Sequence, residues 1–197
     1  MHDKRFHPEH AARLHGDQRQ AELPLATLFE LLGDLHGQQW ADLGAGTGFA
    51  TLPLAAAVGP AGHVWAVDVE PRMLELLSER LRRAPHPNIE TVCEAAEKLA
   101  LATAIDGVLT VACWHELDDR VAVLDRCRRL LRASGRLVIV DLLHPDDAPA
   151  ALSAVGPPSG HRLRLTTVVD ELAAAGFNVV LHRDCYLAHY VAIGHKM

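Results

Sequence analysis

The stretch Trp40-Ala-Asp-Leu-Gly-Ala-Gly-Thr-Gly-Phe49 constrains this chain more than any other. Gln39 to Leu43 reads as a short buried strand, and residues 49–58 as an apolar, alanine-rich helical run. Between them Gly44, Gly46 and Gly48 occupy alternate positions. Alternate glycines let the backbone bend sharply and let a ligand approach with no Cβ in the way. The helix that follows opens with N–H groups that have no partner inside it. Asp42, two residues before the first glycine, can order the turn or meet a cationic ligand.

The spacing separates two kinds of ligand turn. In the dinucleotide fingerprint G-x-G-x-x-G, counted from Gly44, the third glycine would fall on Phe49; here it comes one residue early, on Gly48. His63-Val-Trp-Ala-Val-Asp68 then reads as a second buried strand ending in a carboxylate, twenty residues after Gly48. An acid at the carboxyl end of the neighbouring strand can hydrogen-bond both hydroxyls of a ribose.

Two stretches, D-L-G-A-G-T-G (42–48) and Val64 to Leu74, resemble the first two motifs of the class I S-adenosylmethionine-dependent methyltransferases. The resemblance covers essentially the whole chain as one methyltransferase domain, residues 1–197. It is nearest to a small bacterial type, the ubiquinone/menaquinone C-methyltransferase and methyltransferase type 11 group. It implies an α/β, Rossmann-like fold: a seven-stranded, mostly parallel sheet in the order 3-2-1-4-5-7-6, with helices on both faces. It implies S-adenosylmethionine as cofactor, with S-adenosylhomocysteine as product. Cofactor contacts are then expected from Asp42, Gly44, Ala45, Gly46, Thr47, Gly48, Asp68, Val69, Ala96, Glu97 and Cys113. The family often has Gly-Asp-Ala-Glu where this chain has Glu94-Ala-Ala-Glu97, so the aspartate that reads the adenine amino group falls on Ala95. The adenine is then held by backbone groups, among them the Ala96 amide, and by apolar packing.

Composition narrows the class. Hydrophobic content of 49% and charged content of 22% over 197 residues suit one globular domain with a full core. The net charge of −6 gives no general attraction to phosphate backbones and argues against nucleic acid. No apolar run approaches a membrane span, and the N-terminus shows no apolar signal core, so the cytoplasm is the expected compartment. Cys93, Cys113, Cys127 and Cys185 are widely spaced and read as reduced core cysteines, not a disulfide frame or a zinc knuckle. Monomer and homodimer both stay open. Residues 1–23 are polar and histidine-rich (His2, His7, His10, His15); with no carboxylate–histidine set at ligand spacing they read as an arm or lid, not a metal site. Phe6 and Arg19 are its candidates for contact with substrate or cofactor.

The rest of the chain reads as alternating elements. Residues 24–36 form a helix ended by Gly37, and Pro71 opens the next, with Met73, Leu74, Leu77 and Leu81 inward. Ile89 to Cys93, Ile105 to Cys113 and Arg136 to Asp141 are the third, fourth and fifth strands. Val121 to Leu131 is a helix with Val121, Leu124, Cys127, Leu130 and Leu131 inward. Residues 143–162 are a loop. Thr166 or Thr167 caps a helix that runs to Ala175, and 177–184 and 186–195 form an antiparallel hairpin.

The chemistry follows from the implied cofactor. A sulfonium methyl is already electrophilic, so the protein must exclude water and hold a nucleophile in line. The loop after the fourth strand, Trp114-His-Glu-Leu-Asp-Asp119, faces that methyl in a doubly wound sheet. It lacks the (Asp/Asn)-Pro-Pro-(Tyr/Phe) of adenine amino-methyltransferases and resembles the loop of the small-molecule branch. His115 is the candidate acid–base residue, because imidazole titrates near neutrality; Glu116, Asp141 and His144 lie at the same rim, and Trp114 is either an aromatic wall or core. Methyl transfer to a small or medium-sized acceptor competes with a nucleotide-cofactor oxidoreductase and a non-catalytic S-adenosylmethionine binder. The cysteines raise arsenite as one acceptor.

Overall fold

The computed structural model describes residues 17–148 and 159–197. Helices α1 (Asp17–Glu22) and α2 (Leu25–Leu32) precede β1 (Gln39–Leu43). The chain then alternates through α3 (Thr51–Val58), β2 (His63–Asp68), α4 (Pro71–Arg83), β3 (Ile89–Cys93), β4 (Ile105–Val111), α5 (Arg120–Leu130), β5 (Leu131–Leu142) and α6 (Leu165–Ala174), and closes with β6 (Phe177–His182) and β7 (His189–Lys196). The seven strands form one sheet in the order β3-β2-β1-β4-β5-β7-β6. The first five are parallel, and β7 runs antiparallel to both β5 and β6. The expected fold and strand order are borne out.

The central strands are apolar on both faces because both faces are covered. Ala41, Leu43, Val108, Leu137 and Ile139 cluster with α5 and α6. The alternate residues Trp40, Leu109, Val138 and Val140 cluster with α2 and α3. Leu74 and Leu77 of α4 pack on Ala66 and Ala45. Trp40 is fully buried, and its ring lies so close to Gly107 that a Cβ there would come within 2.4 Å of it. This contact seats β1 on β4, the two strands whose ends carry the site.

Several boundaries differ from the sequence reading, each for a local reason. Helix α2 stops at Leu32, not 36: Gly33 takes φ 76 and donates back to Phe29 and Glu30, and the Asp34 side chain accepts the His36 amide to form a turn. The glycine turn runs on through Ala50, so α3 begins at Thr51. Strand β5 begins at Leu131, which pairs with Ile105; the register resumes at Arg136 opposite Gly107, and residues 132–135 bulge between. Asp119 caps α5 through the Ala122 amide, which turns Val123, Leu124, Cys127 and Leu130 inward and leaves Val121 75% exposed, against expectation. Neither Thr166 nor Thr167 caps α6; Asp147 accepts the Leu165 amide at 3.0 Å instead. Of the four cysteines only Cys127 is buried core; Cys113 and Cys185 are half-buried, and Cys93, on the edge strand, is exposed. All four are free thiols.

Phe6, His2, His7, His10 and His15 lie outside the described residues. Among those described, no group of three His, Cys, Asp or Glu side chains could hold a metal ion. No helix there is long and apolar enough to cross a membrane.

Candidate active site

A cavity opens beyond the carboxyl ends of β1, β2 and β4. Of the residues expected there, Asp42, Gly44, Ala45, Gly46, Asp68, Val69, Ala96 and Cys113 line it. Thr47, Gly48, Glu97 and His115 are not among its lining residues. Arg19 is, reaching in from α1 over the Phe49 ring at 4.7 Å. The lining also includes Phe49, Ala50, Glu70, Met73, Glu94 and Leu117. Glu70 had a local signal that the sequence reading left unused: it precedes Pro71 and caps α4 by accepting the Arg72 amide.

Three segments hold the glycine turn: the end of β2, α4 and the end of β4. Gly44 and Ala45 both donate to the Val67 carbonyl, at 2.9 and 3.0 Å. Asp68 Oδ2 accepts the Gly46 amide at 2.7 Å, while Oδ1 accepts that of Glu70 at 2.9 Å. Arg80 of α4 donates to the Thr47 carbonyl at 2.6 Å. Leu77 lies where a Gly48 Cβ would come to 2.5 Å of it, so Thr47 and Gly48 serve the turn's packing on α4. Gly44 takes φ 71, and a Cβ there would meet the Cys113 Sγ at 2.3 Å. The floor of the cavity is therefore shaped by the close approach of β1's end to β4's end.

The cavity is electrostatically one-sided. Asp42, Asp68, Glu70, Glu94 and Glu116 line it; Arg19 is the only Lys or Arg among its described lining residues. Burial pushes the Asp42 carboxyl up to about 7, although Thr51 donates to it at 2.6 Å and so favours the charged form. Burial also raises Asp68, against the Glu70, Gly46 and Val69 amides that stabilise its carboxylate. Desolvated carboxylates of this kind favour a cationic ligand, which would restore their charged forms.

The rim at the ends of β4 and β5 is built differently. Ala112 takes φ 53, a left-handed conformation rare for a residue with a Cβ, and donates to the Val140 carbonyl at 2.7 Å. A short 3₁₀ turn, Trp114–Glu116, follows. Trp114 is wholly buried in the core under α5, so of its two readings the core one holds. His115 is nearly buried; Asp141, at the end of β5, accepts its backbone amide at 3.0 Å and meets its ring Nδ1 at 2.8 Å. Burial alone would lower the imidazole pKa, but the Asp141 hydrogen bond and charge, with Glu116, outweigh burial and the Arg162 charge, and the net shift is upward. His144 sits apart in the loop after β5, its Nδ1 accepting the Asp146 amide. Arg162 and His189, both buried, join this rim from distant parts of the chain, and no local sequence signal marks either.

Comparison with known proteins agrees with this geometry. A family model described as a methyltransferase domain matches residues 41–139. The chain is similar to a demethylmenaquinone methyltransferase of Lactococcus lactis, 32% identical over 128 residues, which is 64% of this chain and 51% of that protein. It is also similar to an arsenite methyltransferase of Halobacterium salinarum, 31% identical over 152 residues, 73% of this chain and 38% of that one. The chain thus spans about half or less of the length of these relatives. The crystal structure of an S-adenosylmethionine-dependent methyltransferase from Aquifex aeolicus shares the fold, with a TM-score of 0.88 at 21% identity over 98% of this chain and 100% of that one. A glycine turn, a carboxylate-lined cavity and the 3-2-1-4-5-7-6 sheet, within a matched methyltransferase domain, place this chain in the class I S-adenosylmethionine-dependent methyltransferase family.

Proposed function

We propose that this protein transfers a methyl group from S-adenosylmethionine to a small or medium-sized acceptor. The observation that carries the reading is the charge of the cavity: among its described lining residues, five carboxylates with one guanidinium. A dinucleotide would bring a pyrophosphate into that acidic lining and pay a repulsion that Arg19 alone does not offset. S-adenosylmethionine brings a sulfonium and an ammonium, for which the carboxylates are the complement, and one carboxylate, for which Arg19 is.

The residues fit that ligand. Gly44, Ala45 and Gly46 leave room at the floor for its amino-acid part, with Asp42 and Cys113 beside them. Asp68 is the ribose acceptor. Val69, 49% exposed at the cavity wall, offers an apolar face to the adenine, and Ala96 an amide. Thr47, Gly48 and Glu97 act from outside the cavity wall: Thr47 and Gly48 set the turn, and the Glu97 carbonyl anchors its short helical turn to Arg126 of α5 at 3.2 Å. Bound there, the cofactor supplies an activated methyl. The chain's own work is to orient it, exclude water and take a proton from the acceptor, and His115, on the acceptor's side, is the titratable group for that proton.

Calorimetry with S-adenosylhomocysteine and with NADH tests the cofactor half: binding of the first alone is expected, and binding of NADH alone would overturn the reading. Release of S-adenosylhomocysteine is then followed over an acceptor panel that includes a demethylmenaquinol and arsenite, chosen from the names of the similar proteins. Tight cofactor binding with no turnover on any acceptor would favour a sensor.

A further inference from the structure

Glu116 and His115 are adjacent in sequence but stand on different sides of the cavity wall. Glu116 lines the cavity beside Cys113 and Leu117, whereas His115 lies behind it, against the end of β5. Both oxygens of Asp141 approach His115 Nδ1, at 2.8 and 2.9 Å, and a carboxylate can only accept, so Nδ1 carries the proton. Nε2 is then the ring's basic atom, and it faces Glu116 Oε1 at 3.8 Å. We propose that Glu116 is the catalytic acid–base residue that meets the acceptor, and that His115, held by Asp141, is the positioning residue that takes the proton from behind it. The proposal rests on the methyl-transfer reading above.

The arrangement follows the logic of an acid–base relay in which a buried carboxylate fixes the tautomer of an imidazole. For an acceptor with a proton on its nucleophilic atom, that atom bonds to the methyl carbon and the carbon–sulfur bond breaks, leaving its electron pair on sulfur. The acceptor's proton passes to the Glu116 carboxylate, and from there to His115 Nε2. Glu116 is then ionised again, and the imidazolium that forms lies between two carboxylates. It loses the proton to water when the product leaves. The 3.8 Å separation is longer than a hydrogen bond, as acid–base pairs often are before substrate binds.

The surroundings of His115 suit the role. Asp141 on β5 and Glu116 on its own turn favour the imidazolium; Arg162, beyond the short turn Ser159–His161, opposes it. Arg19 of α1 and His189 of β7 act on the same group through Asp141, whose charge both feel. Asp141 also accepts the His115 and Leu142 backbone amides, which fixes its orientation without help from the imidazole.

The test reads protons, so no acceptor is needed. The whole chain is labelled with ¹⁵N in the histidine rings, His115 is assigned by difference with His115→Gln, and both ring nitrogens are titrated with and without S-adenosylhomocysteine. The expected wild-type result is a neutral Nδ1–H tautomer and a midpoint above the ordinary value of about 6.5. Glu116→Gln removes a charge beside Nε2 and lowers the midpoint. Asp141→Asn lowers the midpoint further and shifts the tautomer toward Nε2–H, an outcome that a merely structural Asp141 would not give. Should Asp141→Asn fail to fold, Glu116→Gln decides alone. An Nε2–H tautomer in the wild type, or a midpoint unmoved by Glu116→Gln, would overturn the proposal. Failure of the wild type to bind S-adenosylhomocysteine would instead overturn the methyl-transfer reading.

Discussion

The two halves of the site are made by different means. On the side of β1 and β2 the walls are largely backbone: a glycine turn, two amides shared by one carbonyl, and Asp68 two residues before the acid that caps the next helix. Nearly everything there comes from residues 42–73. On the side of β4, β5 and β7 the wall includes Glu116 and is backed by the side chains of His115, Asp141, Arg162 and His189, with Arg19 reaching in from α1. The first half is written in one stretch of sequence and the second only in the folded chain. A cofactor common to a family can be met by a local motif, whereas an acceptor peculiar to one member calls for a surface that varies independently of that motif.

The border between the halves is the contact of Gly44 with Cys113, and breaking it should have the largest effect. Gly44→Ala would put a Cβ 2.3 Å from the Cys113 Sγ and 2.7 Å from its Cβ, in a left-handed conformation. Overpacking of about 1–3 kcal/mol and conformational strain of about 1–2 kcal/mol should add. Thermal unfolding should show that loss, together with loss of S-adenosylhomocysteine binding. Cys113→Gly in the same chain should restore the overpacking part only. Wild-type stability in Gly44→Ala alone would mean that β4 can move away from β1.

A crossed pair of variants sharpens the contrast. Asp68→Ala removes the proposed ribose acceptor and the bond to Gly46, so affinity for S-adenosylhomocysteine should fall by about 1.5–3 kcal/mol per charge-assisted bond lost. His115→Ala should leave that affinity nearly unchanged and lower turnover on the acceptor by about 10²–10⁴-fold. The halves are separable only if each variant moves one quantity. Equal losses of affinity in both would show that they act as one unit.

That separation also explains what could be read beforehand. Strands were legible because each is a short apolar run between turn residues, and their order came from the family resemblance that the glycine turn and Asp68 carry. Helix ends were less legible wherever a distant group intervened. The cap of α6 is Asp147, eighteen residues before the amide it accepts, and no window centred on Thr166 contains it. Gly33 outcompeted Gly37 because Asp34 could close a turn at once. Val121 has the right spacing for an inward residue, but Asp119 sets the start of α5 and rotates it outward. His189 joins the site through the pairing of β7 with β5, and Arg162 through its bond to the Leu143 carbonyl; no spacing rule encodes either.

A buried acid and a buried base, shifted in opposite directions, give a pH signature. Asp42 titrates near 7 in the fold, well above its unfolded value, so the native state holds the extra proton and stability attributable to Asp42 declines as pH rises from about 4 to about 7. His189 is lowered to about 4 by burial, so the unfolded state holds the extra proton and its share of stability rises over about 4 to 6.5. The two slopes oppose each other across the shared window. Asp42→Asn keeps an acceptor for Thr51 and removes one slope. It should be more stable than wild type by on the order of 4 kcal/mol at pH 8, with the gain vanishing near pH 4. Denaturant melts at the two pH values measure this. S-adenosylhomocysteine affinity at pH 8 should fall roughly tenfold, the value of one charge-assisted bond to the ligand ammonium. A gain independent of pH would mean that Asp42 is already ionised in the fold.

The smallest expected effect tests whether the acceptor half stores strain that the cofactor half avoids. On the β1 side every left-handed residue of the turn is a glycine; at the end of β4 the left-handed residue is Ala112. Its amide is tied to Val140 at 2.7 Å, and the residues that follow deliver Cys113 to the Gly44 contact and Glu116 to the cavity. The conformation is thus imposed from both sides. Ala112→Gly relieves a left-handed Cβ worth about 1–2 kcal/mol and loses about 0.4–1 kcal/mol to the freer unfolded chain. The net should be a stabilisation of up to about 1 kcal/mol, or about 2–4 °C in Tm for a chain of this size. Calorimetric melting reads the stability, and amide exchange at 113–117 reads the order of the turn. A higher Tm with faster exchange there would show that the alanine keeps the acceptor wall rigid at a cost to the fold. A lower Tm would show that its backbone is already relaxed, and the two halves of the site would then differ in composition but not in strain.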